Sequence, residues 1–495
     1  MLRIACLSTL IVLLSFPLYL KAQIFPNEGC HLNFRIIGFS FPKHPGNYNI
    51  QIANGYYNNQ DSFKKNIFKT IPSQGNVTIA EVPNFGSQYT WRIASVDIHA
   101  KADELHHFST IICPEADTNN IRLKILQQAA KYKDAFVFLD GNKALYNMQG
   151  CPVWVMPEKL KETVNEIRDL KISPQGTITF IAGKDIFEIN YHGDILWQGP
   201  NNGTVSGDKT EQYHHEFTRL SNGHYMVLGD EIMTMATLND NSSFVNLGDK
   251  PSFDSVNHVN LPMVPFGTII EYDEQGNVVW SWKSSKYYKQ SDLVFSKENI
   301  SLHENAFFFD EKEKMIYVSF RHISRVIKLK YPEGTVVNTY GEIFKPGVPG
   351  KGSGLFCGQH ACKYSQIGCL FLFNNNGCNM GQAPKIKIFK EPLDGTGNLE
   401  KIWEYECAVE GNYPKDAPTG GNVIELPDQS LFTSMGGEYS KVFIVNKEKK
   451  VLWSAIAEKW NPDEKKWITL VQYRASIISN RKDFERIILN SELKK

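Results

Sequence analysis

The chain has 495 residues, 53 of them Lys or Arg and 53 Asp or Glu, for a formal net charge of zero. Without a basic excess it lacks the clustered cations that attract nucleic acid, and no nucleic-acid partner is expected. Hydrophobic residues at 42% and charged residues at 21% describe a folding chain, and 30 Phe with 21 Tyr suit sheets better than helical bundles.

Residues 1–22 read as a secretory signal peptide: Arg3 is the charged start, Ile4 to Tyr19 the apolar stretch and Ala22 the small residue before cleavage. Pro17 and the shortness of the run argue against a membrane anchor, and Cys6 lies too early to be a lipid-attachment cysteine. The protein is expected in the periplasm or secreted, with no later segment apolar enough to span a bilayer. Cys6 leaves with the signal, and the even set of eight that remains suggests disulfides. Cys30 and Cys113 bracket the first module, so a bridge between them is expected. Four cysteines crowd Cys357 to Cys378, where zinc is the competing reading, but they lack paired C-x-x-C spacing.

Residues 23–115 hold short alternating runs such as HLNFRIIGF, YNIQIANGYY and YTWRIASVDI, which predict a small β-sandwich. His106 and His107 lie in a charged linker, KADELHHF, and are expected to face solvent. A helix is predicted over Asn120–Lys133 and a second over Pro157–Ile167. From residue 135 to 490 the pattern is short strands. A tight turn followed by apolar residues, often ending in Trp, recurs at Asp140, His192, Gln275, Glu333, Thr396 and Lys447. A second recurring phrase, a polar turn, an alternating strand and then Gly, starts at Ser173, Leu220 and Leu426. Recurrence at roughly 50 to 60 residues in an all-β chain suggests a propeller. The competing reading is a set of ordinary hairpins in a large sandwich.

Three histidine segments precede apolar strands: YHHEFTRLSNGHYMVLGDE with His214 and His215; SLHENAFFF with His303 and Asn305, then Arg321; and FCGQHACKY with Gln359 and His360. In a propeller such positions open onto the central channel. Neutral imidazole can act as nucleophile or base, and Arg stabilises an anion. Each residue alone is as well explained as a hydrogen-bonded structural group. His322 is set aside because strand alternation would turn it to the opposite face from Arg321. A three-histidine metal site is a rival, but no carboxylate stands at a ligand-like spacing.

With these segments in this order, residues 135 to 480 resemble the bacterial aryl-sulfate sulfotransferases, the PAPS-independent arylsulfotransferase family. HHEFTRLSNGHYMVLGDE resembles the family's HHD-type segment. His303 and Asn305 form its H-x-N, and Ser319 to Arg321 its S-x-R. QHA at Gln359, LFLFNNNG and GGNVIELPDQSLFTSMGG resemble its later segments. The resemblance implies a six-bladed β-propeller preceded by a small N-terminal β-sandwich, often dimeric, that needs no metal, nucleotide or other cofactor. It implies a sulfuryl group moving from a phenolic sulfate donor to a phenol acceptor in two steps through a sulfohistidine. The nucleophile maps to His360, the family's arginine to Arg321 and one supporting histidine to His303. Arg321 and His303 would bind the sulfonyl oxygens, and His215 or His303 would protonate the leaving phenolate. The remaining histidine maps to the pair, with His215 favoured and His214 the alternative. The chain departs from the family pattern at Glu216 and Ala361, and at Asn374 or Asn375, where acids or a different acid are usual. The interval from Arg321 to His360 is short. These departures support an alternative, an exported propeller that binds a ligand or partner without catalysis. A quinone-dependent dehydrogenase propeller fits less well, because the Trp repeats are loose, and a lectin-like module is left open.

Overall fold

The computed structural model describes residues 24–493 apart from 43–46, 74, 97–103, 162–165, 236–243, 247–252, 255–258, 261–262, 289–293, 296–299, 342–354, 366, 378–380, 393–396 and 411–418. The predicted signal peptide lies outside the described residues. The chain is nearly all β, and no helix among the described residues is long and apolar enough to cross a membrane.

Near the N-terminus, five strands pair in the spatial order Cys30–Leu32, His106–Thr110, Gln88–Ser95, Tyr48–Asn54, Ile67–Ser73. A separate pair joins Ile36–Ser40 to Val77–Glu81. Alternating burial along Tyr48–Asn54 and Val77–Glu81 gives each strand one core face. Phe39 of the pair meets Trp91 of the larger sheet edge-on, with ring centroids 5.0 Å apart.

The sequence reading fails here in two places. His106 and His107 sit in a strand, not a solvated linker. His107 is buried, its Nδ1 2.9 Å from the Glu28 carboxylate and its Nε2 2.9 Å from the Tyr57 carbonyl. No disulfide joins Cys30 to Cys113. Cys30 stands beside Phe108 in a parallel ladder, five residues short of Cys113, so an extended chain would separate them by roughly 16 Å, beyond disulfide reach. Cys357 is disulfide-bonded.

The helix predicted at Asn120–Lys133 is instead a strand, Ile121–Gln127, followed by a short 3-10 turn, Ala130–Tyr132. Its backbone pairs with Val451–Asn461, more than 300 residues away, and that pairing overrides local helix preference. Of the second predicted helix, the structure describes only Glu158–Lys161 as helical, and Ile167 already begins a strand.

Beyond this point the described residues form six antiparallel sheets of four or more strands, each built mainly from strands near one another in the chain. Two take in a distant strand: the last is joined by Ile121–Gln127, and the first by a late strand. Phe136–Leu139, Ala144–Asn147 and Pro152–Val155 are joined by the late strand Ala475–Ile478, so the end of the chain completes the sheet its beginning started. The opening strands of the other five are Ile167–Ile172, His214–Arg219, Glu304–Asp310, His360–Tyr364 and Asn422–Glu425. Each touches the next, and Ala475–Ile478 touches both Asn422–Glu425 and Ile167–Ile172, which closes the circuit.

Four of these opening strands share a defect. The pairing register slips between Arg168 and Lys171, His214 and Phe217, Glu304 and Ala306, and His360 and Cys362. Left-handed backbone accompanies each slip: φ is 55° at Asp169, 61° at His215, 54° at His303 and 51° at Ala361. Such bulges kink a strand and re-aim its side chains. Here they sit where the opening strands converge.

Candidate functional site

A cavity of about 500 Å³ lies at that convergence, lined by His215, His303, Arg321 and His360 together with Tyr473, Arg168 and Asp140. All four residues named from the sequence therefore reach one space. The His214–His215 ambiguity also resolves geometrically: His215 lines the cavity and His214 stands behind it, their Nδ1 atoms 2.7 Å apart. The His215 ring lies 5.2 Å from that of His303 and 5.6 Å from that of Tyr473. His322, set aside on strand alternation, packs 4.6 Å from His303. The alternation does not apply, because Arg321 to Ser324 form a turn closed by a bond from the Ser324 N–H to the Arg321 carbonyl.

His360 is held in one orientation. The Asn375 amide donates from Nδ2 to the Gly420 carbonyl at 3.0 Å, which leaves its Oδ1 facing His360 Nδ1 at 2.8 Å. An amide oxygen only accepts, so Nδ1 carries the proton and Nε2 keeps its lone pair. The Gly420 N–H approaches that lone pair at 3.3 Å. Burial, with Arg321 nearby, pulls the His360 pKa down to about 3. Burial, with His322 and Arg321, pulls His303 down to about 2. His215 is held well below its usual value by burial and then by His214, His303 and His360. All three rings are neutral at pH 7.

The other polar residues of the sequence segments tie their backbones together. Asn305 donates from Nδ2 to the Gln359 carbonyl at 2.7 Å, joining the His303 and His360 strands. Gln359 in turn donates from Nε2 to Ser319 Oγ at 3.0 Å and the Phe320 carbonyl at 3.1 Å, gripping the strand end that carries Arg321. The H-x-N, S-x-R and Q-H segments are thus one hydrogen-bonded unit.

Sequence reasoning missed what lies beneath them. Arg474 is buried and donates to Glu216 at 2.6 Å, Asp169 at 3.1 Å and the Asn305 carbonyl at 3.0 Å. Glu216 also accepts from Lys363 at 2.8 Å and Lys171 at 3.1 Å. Burial alone would raise the Glu216 pKa, but Arg474, Lys363 and Lys171 outweigh it and hold the carboxylate ionised. Three cations against two carboxylates leave this cluster one positive charge in excess, which favours an anion in the cavity above. Tyr473 lines the cavity with its hydroxyl buried and without a hydrogen-bond partner, and burial pushes its pKa up to about 12. Asp140 accepts from the backbone N–H groups of Gly141, Tyr473 and Arg474, and burial raises its pKa to about 7. In the sequence, Tyr473 and Arg474 are an unremarkable pair before a terminal strand. Only the return of that strand to the first sheet brings them here.

Among the described residues no group of three or more His, Cys, Asp or Glu side chains is placed to hold a metal ion.

Residues 266–393, which contain His303, Arg321 and His360, match the family model for arylsulfotransferases (ASST). That segment is similar to the arylsulfotransferases, and the match spans about a quarter of the chain. The match supports an arylsulfotransferase-type function. No curated protein matches the chain. Solved structures similar to this chain include a protein of unknown function from Bacteroides caccae, at 12% identity and a TM-score of 0.39, covering 70% of this chain and 98% of that one. The periplasmic gluconolactonase PpgL of Pseudomonas aeruginosa matches at 10% identity and a TM-score of 0.32, over 73% of this chain and 99% of its own. Kluyveromyces lactis Hsv2 matches at 11% identity and a TM-score of 0.29, over 72% and 98%.

Proposed function

We propose that the protein is an exported aryl-sulfate sulfotransferase. Its six sheets are read as the blades of a β-propeller over residues 135–490, with a small sandwich over 23–115 and a signal peptide over 1–22. A phenolic sulfate is the donor and a phenol the acceptor. One observation carries the reading: His360 has its Nε2 lone pair fixed by the Asn375 contact, in a cavity shared with Arg321, His303 and His215.

The chemistry follows from those groups. The lone pair on His360 Nε2 forms an N–S bond as the S–O bond to the aryl group breaks, and that bond's electron pair leaves on the phenolate oxygen. The ring, still protonated at Nδ1, becomes a cationic sulfohistidine whose Nδ1–H remains bonded to Asn375. Charge on the sulfonyl oxygens is met by Arg321 and by the excess positive charge beneath, with His303 and the unpartnered Tyr473 hydroxyl as further contacts. His215 gives a proton to the leaving phenolate and takes one from the acceptor phenol, whose oxygen then attacks sulfur and frees His360. Dividing the transfer in two gives ping-pong kinetics.

The test is nitrophenolate release from 4-nitrophenyl sulfate with and without added phenol. Acceptor-dependent release is expected, with a sulfurylated His360 trapped when acceptor is withheld. His360→Ala should abolish both while leaving the thermal midpoint near that of the wild type. Release that survives His360→Ala would refute the assignment. The alternative, a binding propeller without catalysis, is favoured by the Gly420 N–H that caps His360 Nε2. A well-folded wild type that binds aryl sulfates without releasing phenol would select it.

A further inference from the structure

The proposed transfer must move a proton in each half-reaction, yet His215 is poorly placed to store one. It is buried among His214, His303, His360 and Arg474, all of which disfavour an imidazolium there. The structure offers it an outlet. Two facing Nδ1 atoms 2.7 Å apart can share only one proton, so one ring donates and the other accepts. Behind His214, its Nε2 is buried without an aligned hydrogen bond, and the Asp230 carboxylate stands 3.3 Å away. The Asp230 side chain is 29% exposed, so a small rotation completes the contact and solvent can reach its far side.

We propose that His214 and Asp230 form a proton relay linking His215 in the cavity to solvent. This deepens the transferase reading above and rests on it. Once His360 is sulfurylated, His214 Nε2–H points at Asp230, its bare Nδ1 accepts from His215 Nδ1–H, and His215 Nε2 offers a lone pair to the cavity. In the second half-reaction the acceptor O–H breaks and its proton joins His215 Nε2. The Nδ1 proton of His215 passes to His214 Nδ1, and the Nε2 proton of His214 passes to Asp230, which releases it to water. The free enzyme is left with the opposite tautomers, His215 protonated at Nε2 and His214 at Nδ1, so the first half-reaction runs the same steps inward. His215 Nε2–H goes to the leaving phenolate, His214 Nδ1–H to His215 Nδ1, and a proton from water through Asp230 to His214 Nε2, which ends with a neutral phenol. Charge crosses the pair, but no atom is left over and neither ring keeps an extra proton.

The surroundings of Asp230 bias the wire. Across the sheet it faces Gly267, where a Cβ would overlap the Glu304 carboxyl. That carboxyl is fully buried with neither oxygen bonded, so burial and then Asp230 itself drive it to the neutral form. A neutral Glu304 sets no second negative charge beside the Asp230 end of the relay.

Two measurements on the full chain test this. Long-range 15N–1H spectra of free 15N-histidine protein, assigned with His214→Gln and His215→Gln, should show His215 protonated at Nε2 and His214 at Nδ1. Free enzyme with His215 protonated at Nδ1 and His214 at Nε2 would overturn the relay whatever the enzyme's activity. In kinetics, Asp230→Asn keeps shape but cannot take a proton, and His214→Phe keeps a ring without nitrogens. Each should slow transfer involving a phenol of high pKa by about tenfold more than transfer involving 4-nitrophenol, because only the former needs proton transfer. The double variant should be no slower than the worse single. Equal slowing across phenols, or multiplying effects, would overturn the relay alone. A wild type inactive on every aryl sulfate would overturn the transferase reading and the relay with it.

Discussion

Asn375 sets what His360 can do. An acid at this place would hold the His360 Nδ1–H with a full charge, whereas the amide holds it with a dipole and uses its other end on the Gly420 carbonyl. Orientation is kept, but less charge is available to stabilise a cationic sulfohistidine. Asn375→Leu, close in size, would leave the ring free to rotate and to swap tautomers. Sulfate transfer should fall about 100-fold, since misplacing a reacting atom by an ångström has effects of that order. The melting midpoint should fall too, because a buried N–H and C=O each lose a partner, at about 1–3 kcal/mol apiece. Unchanged transfer in that variant would mean Asn375 does not position the ring. The sequence showed His215, His303, Arg321 and His360 through their neighbours in chain order. It hid His322, because a turn was read as a strand, and it hid Tyr473 and Arg474, because their partners lie some 170 to 330 residues upstream.

At the scale of the element, the opening strands act as a set. Their shared register slips carry the left-handed residues that point side chains inward, and the link through Asn305 and Gln359 keeps three of the segments in fixed relation. Gln359→Leu should test that link. Ser319, the Phe320 carbonyl and the Arg325 carbonyl would lose a shared donor, so stability should drop by about 1–3 kcal/mol. The Michaelis constant for the sulfate donor should rise as Arg321 loses its fixed place. Denaturant melts and donor titrations read the two effects separately, and a stability loss with an unaltered Michaelis constant would confine Gln359 to folding. Turn-and-strand phrases made the strands legible because their period is local. The strand Ile121–Gln127 was misread as helix because its reason to be a strand is a partner in Val451–Asn461. Nothing local records that.

For the whole molecule, pH exposes the balance struck in burying so many titratable groups. His215, His303 and His360 are neutral in the fold, while in the unfolded chain they take up protons below about pH 6.5. Each therefore subtracts about 1.4 kcal/mol of stability per pH unit as pH falls below that point, and the loss ends only near the depressed folded value. Asp140 and Glu304 act oppositely: their raised folded values mean the fold binds a proton that the unfolded chain has released, so each adds stability as pH falls toward about 4. Three losses against two gains leave a shallow net slope for the intact chain between pH 6.5 and 4.5. The individual terms become visible by subtraction. His303→Gln removes one loss, so its stability relative to wild type should climb steadily on acidification, reaching about 3 kcal/mol at pH 4.5 beyond the difference at pH 7.5. Glu304→Gln should show the reverse trend, starting favourable at pH 7.5 because an unbonded buried carboxyl is gone and losing that advantage as pH falls. Urea midpoints for the three proteins at four pH values between 4.5 and 7.5 suffice. Parallel curves would mean that His303 and Glu304 titrate in the fold as they do in the open chain, and that the cavity is wetter than its burial implies.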